Sequence, residues 1–286
     1  MPGLFKTLLR ELARKQPIAR TPEPCLVMDA EAAVDAYAQG GREGGALAGA
    51  YLYHLAHMCE LVTPGDTVLD IGCGPGSLLG QLAELNPRVE FIGMDLSASM
   101  LQRAQWQCAE KRLQNVELRY GDMTVLNGIK DGSMDAVVSS MAFHHLPDFH
   151  ALDVTFMQIA RVLKPDGAIY FNDFGRLRHP DSIRYFMSRA ADGERQELVD
   201  DYFHSLHAAF SHEDFQRVTR RHLNGRARVY ATAISPLQVI IKSPALHASA
   251  NRIELKGRFR ALSRVRRADV RQLSLFLRLG GLNSAL

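Results

Sequence analysis

Between residues 67 and 242 the chain alternates short apolar runs with longer amphipathic stretches. In one such stretch, residues 151–163, the apolar side chains Leu152, Phe156, Ile159 and Leu163 recur at spacings of four, three and four, which is typical of one helix face. The alternation predicts a parallel sheet covered by helices on both faces. The predicted strands are residues 67–71, 90–94, 116–120, 134–140, 168–174, 228–234 and 237–242.

The last two predicted strands are separated only by Ser235 and Pro236, a link that permits a hairpin but no parallel crossover. We therefore expect an α/β, Rossmann-like sheet of seven strands, with five parallel strands and a closing antiparallel hairpin. Residues 176–226 are longer than one crossover helix needs and are predicted to form a helical lid. The expected organisation is a helical extension (1–44), the main domain (45–244) and a basic C-terminal helical extension (245–286).

The charge of the chain is unevenly distributed. The formal net charge is +3, but residues 1–21 carry +4, residues 250–286 carry +7, and the body between them carries −8. An acidic body disfavours a reaction centre built to follow nucleic-acid phosphates. The basic ends allow three interpretations: peripheral contact with an anionic membrane, RNA binding, or neutralisation of the acidic body across a domain or homodimer contact.

The four cysteines contain no CxxC pair, and none follows Cys108. We therefore expect no disulfide framework and no metal site, and a reducing, cytoplasmic location. No transmembrane segment or secretory signal is predicted.

A glycine-rich loop follows the first predicted strand, where Gly72, Gly74 and Gly76 are spaced two apart before a predicted helix. Glycines allow a sharp turn and let backbone N–H groups approach a ligand. The third glycine comes one residue earlier than in the GxGxxG pattern of dinucleotide sites, which disfavours a nicotinamide cofactor. Packing of a tight strand-to-helix turn is the alternative explanation for these glycines.

Two acidic residues follow the next two strands. Asp95 lies 23 residues beyond Gly72, at a position where a carboxylate can accept both ribose hydroxyls. Ser97 can cap the following helix, which would leave the Asp95 carboxylate free. Asp122 lies at the end of the third strand, where it could accept from an adenine amine or form an Asx-turn.

Together with the Leu-Lys-Pro-Asp-Gly sequence at 163–167, these motifs resemble a class I S-adenosylmethionine-dependent methyltransferase of the small-molecule and quinone branch. The resemblance covers about residues 45–242. It implies that residues 72–76 hold the methionine end of the cofactor, Asp95 the ribose, and Asp122 with Met123 the adenine. The cofactor-binding positions implied are Asp70, Gly72, Cys73, Gly74, Gly76, Asp95, Leu96, Gly121, Asp122, Met123, Ser139 and Ser140.

Methyl transfer from a sulfonium needs alignment, exclusion of water and, for some acceptors, a base. His144 and His145 follow the fourth strand and are the candidate bases, with loop packing as the alternative; Asp173 at the end of strand five is a further candidate. Aromatic residues in the predicted lid favour a small or medium-sized acceptor that is apolar or aromatic, although core packing would also explain them. An RNA methyltransferase using the basic C-terminal segment and a non-catalytic cofactor-binding scaffold are the alternative functions.

Overall fold

A seven-stranded sheet forms the centre of the computed structural model, which describes residues 2–25, 27, 29, 31–41, 44–190 and 196–286. The strand order is β3-β2-β1-β4-β5-β7-β6. Strand β7 runs antiparallel to both β5 and β6, whereas the pairs among β1 to β5 are parallel. The fold class is as predicted. The strands are β1 (Thr67–Ile71), β2 (Glu90–Asp95), β3 (Val116–Tyr120), β4 (Met134–Ser140), β5 (Leu163–Phe174), β6 (Arg228–Ala231) and β7 (Gln238–Lys242).

The closing antiparallel hairpin is confirmed, but its predicted two-residue link is wrong, because β6 ends at Ala231 and β7 begins at Gln238. Thr232 closes the longer loop: its hydroxyl donates to the Ser235 carbonyl oxygen and accepts from the Gln238 N–H. The Leu-Lys-Pro-Asp-Gly sequence at 163–167 lies inside β5, which begins earlier than the predicted strand 168–174. The register jumps from Leu163 beside Met134 to Ala168 beside Ala136, so residues 164–167 bulge out of the ladder.

Helices cover both faces of the sheet. They are α1 (Pro2–Ala13), α2 (Glu31–Gly40), α3 (Ala48–Met58), α4 (Ser77–Leu85), α5 (Ala98–Glu110), α6 (Phe149–Val162), α7 (Pro180–Ala190), α8 (Gln196–Ala208), α9 (His212–His222), α10 (Arg252–Ala261) and α11 (Arg264–Leu279). A short 3₁₀ helix, Phe143–His145, follows β4. Among the described residues, no helix combines the length and the apolar composition needed to cross a bilayer.

Alternation along the strands divides the core into two layers. Val68, Val138 and Tyr170 face the layer covered by α3 and α4, whereas their chain neighbours Leu69 and Val137 face the layer covered by α6 and α9. Successive side chains of a strand point to opposite faces, so buried parallel strands are apolar throughout. This explains why the sequence shows continuous apolar runs.

The predicted N-terminal and C-terminal extensions both pack against other elements of the fold. Helix α1 contacts α7, α2 contacts α5 and α8, and both α10 and α11 contact α3. In the predicted lid, α9 instead contacts α6 and β6 and is therefore the crossover helix. Residues 1, 26, 28, 30, 42 and 43 of the predicted N-terminal extension and 191–195 of the predicted lid lie outside the described residues.

Candidate active site

A cavity of about 750 Å³ opens at the carboxyl ends of β1 to β5. This is a size typical of small-molecule sites. Strand-end residues form its floor, α3 and the start of α11 form one wall, and residues of α7 and α8 form another. Of the twelve positions predicted to bind the cofactor, Asp70, Gly72, Cys73, Gly74, Asp95, Leu96, Gly121, Asp122, Met123 and Ser140 line the cavity.

Gly76 and Ser139 lie away from the cavity wall. Gly76 is the N-cap of α4 with a φ of 76°, and a Cβ there would lie 2.9 Å from the Ala104 Cβ, so this glycine serves packing. The Ser139 side chain is fully buried and donates to the Ile71 carbonyl oxygen at 2.7 Å. Because side chains alternate along β4, only the next residue, Ser140, reaches the cavity.

The glycine loop is fixed to the end of β2. Gly72 has a φ of 69°, and a Cβ on it would lie 2.4 Å from the Ala142 Cβ, so no larger residue fits. The Gly74 N–H donates to Asp95 Oδ2 at 2.7 Å. Asp95 Oδ1 also accepts from the Ser97 N–H at 2.8 Å, while the Ser97 hydroxyl caps α5 by accepting from Met100. The expectation of a free Asp95 carboxylate is therefore wrong, although Asp95 lines the cavity and a carboxylate can accept more than two hydrogen bonds.

Asp70 is the most perturbed carboxyl of this group. Burial, and then the charge of nearby Asp95, raise the pKa of Asp70 to about 7. Burial also raises the pKa of Asp95, against the effect of its backbone hydrogen bonds. Two adjacent carboxylates at the cavity wall make the end of β1 electronegative, which favours a cationic or hydrogen-bond-donating ligand.

Asp122 forms the Asx-turn that was the alternative interpretation, since its Oδ1 accepts from both the N–H and the hydroxyl of Thr124 at 2.7 Å. The residue nevertheless lines the cavity together with Gly121 and Met123. The turn holds this rim in place beside the other strand ends.

Comparison with known proteins agrees with this geometry. Residues 68–167 match the family model described as a methyltransferase domain. Over these residues, about a third of the chain, the sequence is that of a methyltransferase domain.

Relatives and solved structures extend the comparison. The chain is 36% identical to nocamycin O-methyltransferase of Saccharothrix syringae over 107 residues. This match covers 37% of each chain. A longer match, 29% identical over 216 residues, covers 70% of this chain and 72% of the 27-O-demethylrifamycin SV methyltransferase of Amycolatopsis mediterranei. A methyltransferase structure from Aquifex aeolicus shares the fold, with a TM-score of 0.53, 17% identity and coverage of 76% of this chain and 100% of that one. The chain spans less than half the length of several curated relatives.

Beyond the glycine loop, the methyltransferase domain places His144 in contact with Asp173. His144 Nδ1 lies 2.6 Å from Asp173 Oδ1, and the His144 backbone N–H donates to Asp173 Oδ2 at 3.1 Å. The carboxylate fixes a proton on Nδ1 and leaves Nε2 as the acceptor nitrogen. Burial by itself lowers the pKa of His144, but the charge and hydrogen bond of Asp173, together with the charges of Glu23 and Asp201, raise it, and the net pKa is raised. His145 differs, because burial and its neighbour His144 lower the pKa of His145 to about 3.

One group of potential metal ligands occurs among the described residues, although the sequence predicted none. Glu23, His144 and His145 each offer a ligand atom, and these atoms lie within 4.8 Å of one another. His144 already bonds Asp173, and the Glu23 carboxylate accepts from the Ser205 hydroxyl at 3.0 Å. The arrangement can therefore serve either as a hydrogen-bonded base or as a ligand set.

The sequence analysis missed Arg20, which holds the loop that carries the two histidines. The Arg20 guanidinium donates to the carbonyl oxygens of His144, Leu146, Pro147 and Ala208. The N-terminal segment is thereby tied to both the base loop and α8. No motif marks such an arginine, because its partners are backbone atoms more than a hundred residues away.

The basic C-terminal segment folds back onto the methyltransferase domain. Arg258 forms ion pairs with Glu84 and Glu254, and Arg266 pairs with Asp269. Val265, Arg266 and Asp269 line the cavity. Of these three pairs, Arg258–Glu84 joins the segment to the acidic body, whereas Glu254 and Asp269 belong to the segment itself.

Proposed function

We propose that this chain transfers the methyl group of S-adenosylmethionine to a small-molecule acceptor. The observation that carries the proposal is the convergence, in one cavity, of the glycine loop, the Asp95 carboxylate and the Asp122 turn from three consecutive strands. The names of the relatives support an acceptor of this class. A cytoplasmic location and a homodimer stay predictions.

The cavity suggests how the cofactor lies. Gly72, Cys73 and Gly74 would contact the methionine end, with Asp70 close enough to the loop to accept from the cofactor's ammonium group. Asp95 and Leu96 would take the ribose. Gly121, Asp122 and Met123 would enclose the adenine, and Ser140 would lie between the methionine end and the acceptor. Gly76 and Ser139 are not part of this proposal, since both lie away from the cavity wall.

The bound cofactor supplies an activated methyl group, and the chain supplies alignment and a base. Nε2 of His144 would accept the proton from the acceptor's nucleophilic atom as that atom is methylated. Asp173 would hold the imidazole ring in place and stabilise the imidazolium that results, as a carboxylate does in other histidine-base sites. His145 is the weaker candidate, because a group with a pKa near 3 is a poor proton acceptor at neutral pH.

Helices outside the central sheet would exclude water from the cavity. Leu198, Val199 and Tyr202 of α8 and Val265 of α11 line the cavity beside the strand ends. Among the aromatic residues of the predicted lid, Tyr202 lines the cavity, whereas Phe210 is buried in the core layer of α9. An apolar wall at this end favours an acceptor with a largely apolar skeleton.

Calorimetric titration tests the proposal directly. We expect one equivalent of S-adenosylhomocysteine to bind and no heat from NAD. A protein that binds neither compound would contradict the proposal. Turnover is then measured as S-adenosylhomocysteine released from S-adenosylmethionine in the presence of a metabolite extract. Binding without turnover in any extract would favour the non-catalytic scaffold.

A further inference from the structure

Three polar side chains in the cavity wall carry buried atoms that have no hydrogen-bond partner among the described residues. The Ser140 hydroxyl, both amide atoms of Asn172 and the Gln238 Oε1 are buried and make no hydrogen bond. All three residues line the cavity. Buried polar atoms in proteins are almost always paired, so each of these groups needs a partner that the described residues do not supply.

The three groups form one row on the sheet. Ser140 of β4 is the register partner of Asn172 of β5, and Gln238 of β7 is the partner of Phe174. Residues opposite each other, or two apart along a strand, point to the same face. The three side chains, and Phe174 with them, therefore share one face of three adjacent strands. The row begins at β4, the neighbour of β1, and leads away from the glycine loop. Its outer members, Asn172 and Gln238, therefore lie on the acceptor side of the cavity.

Asn172 is the residue least explained by structure alone. It is 1% exposed and follows the buried apolar residues Ile169, Tyr170 and Phe171 in β5. Asparagine is disfavoured in strands, and an unpaired buried amide lowers stability. Asn115 provides the contrast, since its buried amide donates to the carbonyl oxygens of Ala83, Asn86 and Val89. An amide without such partners indicates a binding role.

We propose that Asn172, Gln238 and Ser140 recognise a neutral acceptor that carries a hydroxyl or amide N–H next to a carbonyl on an apolar skeleton. This inference rests on the proposed function. The Asn172 Nδ2 would donate to the carbonyl while its Oδ1 accepts from the neighbouring hydroxyl or N–H, and Gln238 Oε1 would accept from a further donor. No member of the row is charged, and a buried ionic group without a counter-charge there would be costly. Phe174, Leu198 and Tyr202 supply apolar contacts beside the row.

The first test needs no ligand. Thermal unfolding of Asn172→Leu is compared with that of Asn115→Leu, both in the ligand-free protein. We expect Asn172→Leu to leave Tm unchanged or to raise it by about 2 to 4 °C, because an unpaired amide is removed. Asn115→Leu should lower Tm, because three buried carbonyl oxygens lose their hydrogen-bond donor. If Asn172→Leu lowers Tm as much as Asn115→Leu does, Asn172 has a structural role and the proposal fails.

The second test measures recognition with 2-hydroxybenzamide, which carries a hydroxyl beside a carboxamide, and with toluene as the apolar control. Ligand-observed NMR titrations use the protein saturated with S-adenosylhomocysteine. We expect the wild type to prefer 2-hydroxybenzamide at least about ten-fold, and Asn172→Leu and Gln238→Leu to lose that preference. Equal preference in wild type and both variants overturns the proposal. If S-adenosylhomocysteine does not bind, the proposed function fails. The same titrations without it still test whether Asn172 and Gln238 recognise 2-hydroxybenzamide.

Discussion

Replacing Asp70 by Asn should stabilise the ligand-free protein, and by an amount that depends on pH. The Asp70 carboxyl titrates near pH 7 in the folded chain, against 3.8 ordinarily, because burial and the Asp95 charge oppose its ionisation. At 1.36 kcal/mol per pH unit, ionising it in the folded state costs on the order of 4 kcal/mol. The raised pKa means that folded Asp70 keeps a proton that the unfolded chain loses. Stability therefore falls as pH rises from about 4 to 7 and is constant above that range.

Asp70→Asn removes this pH-dependent loss of stability, because Asn cannot ionise. At about pH 5 the raised pKa of Asp70 lowers the stability of the wild type by roughly 1.5 kcal/mol. At about pH 8.5 the full loss of about 4 kcal/mol is present. The advantage of Asp70→Asn over the wild type should therefore grow by about 2 to 3 kcal/mol between these two pH values. Urea denaturation at both pH values measures the difference. Asp166→Asn, a change at an exposed residue, is the control and should show no such growth.

A pH-independent difference between Asp70→Asn and the wild type would refute the reasoning. A further result follows from the cofactor. If Asp70 accepts from the cofactor's ammonium group, binding favours the ionised carboxyl, so near pH 7 the wild type should release protons on binding S-adenosylhomocysteine. Calorimetry in buffers of different ionisation enthalpy detects this release, and Asp70→Asn should abolish it.

Asp95→Ala should weaken S-adenosylhomocysteine binding by about 1 to 3 kcal/mol through lost charge-assisted hydrogen bonds, and an unchanged Kd by calorimetry would reject that role. His144→Asn should lower turnover by about 10² to 10⁴-fold with cofactor affinity unchanged, and equal turnover would exclude it as the base. Asp173→Asn should lower the pKa of His144, which moves the acidic limb of the pH–rate profile to lower pH; an unmoved limb would contradict the pairing. Dialysis against a chelator should leave turnover unchanged if His144 acts as a base, whereas loss of activity restored by a divalent metal would favour the Glu23 ligand set. Arg20→Gln should lower the free energy of unfolding by about 2 to 3 kcal/mol, as measured with urea, because its donations to carbonyl oxygens are lost, and no change would show that this contact is dispensable.

Much of the fold is determined locally. The apolar runs locate the five inner strands because a strand covered on both faces is mostly apolar, whereas the edge strands β3 and β6 are only partly buried. Gly72 and Gly74 are recognisable because only glycine tolerates a positive φ where the backbone approaches a ligand. The sequence also locates Asp95 and Asp122, since the ends of parallel strands share one edge of the sheet.

Tertiary structure decided what neighbouring sequence cannot encode. Whether Ser139 or Ser140 faces the cavity depends on which face of β4 is turned to it, and the pairing of His144 with Asp173 joins side chains 29 positions apart. Arg20 and the amide of Asn172 leave no pattern in the sequence. Arg20 contacts backbone atoms far along the chain, and the Asn172 amide is identified by having no partner among the described residues. Periodicity and glycine placement are properties of short segments, whereas burial, pKa and pairing depend on neighbours that only the folded chain brings together.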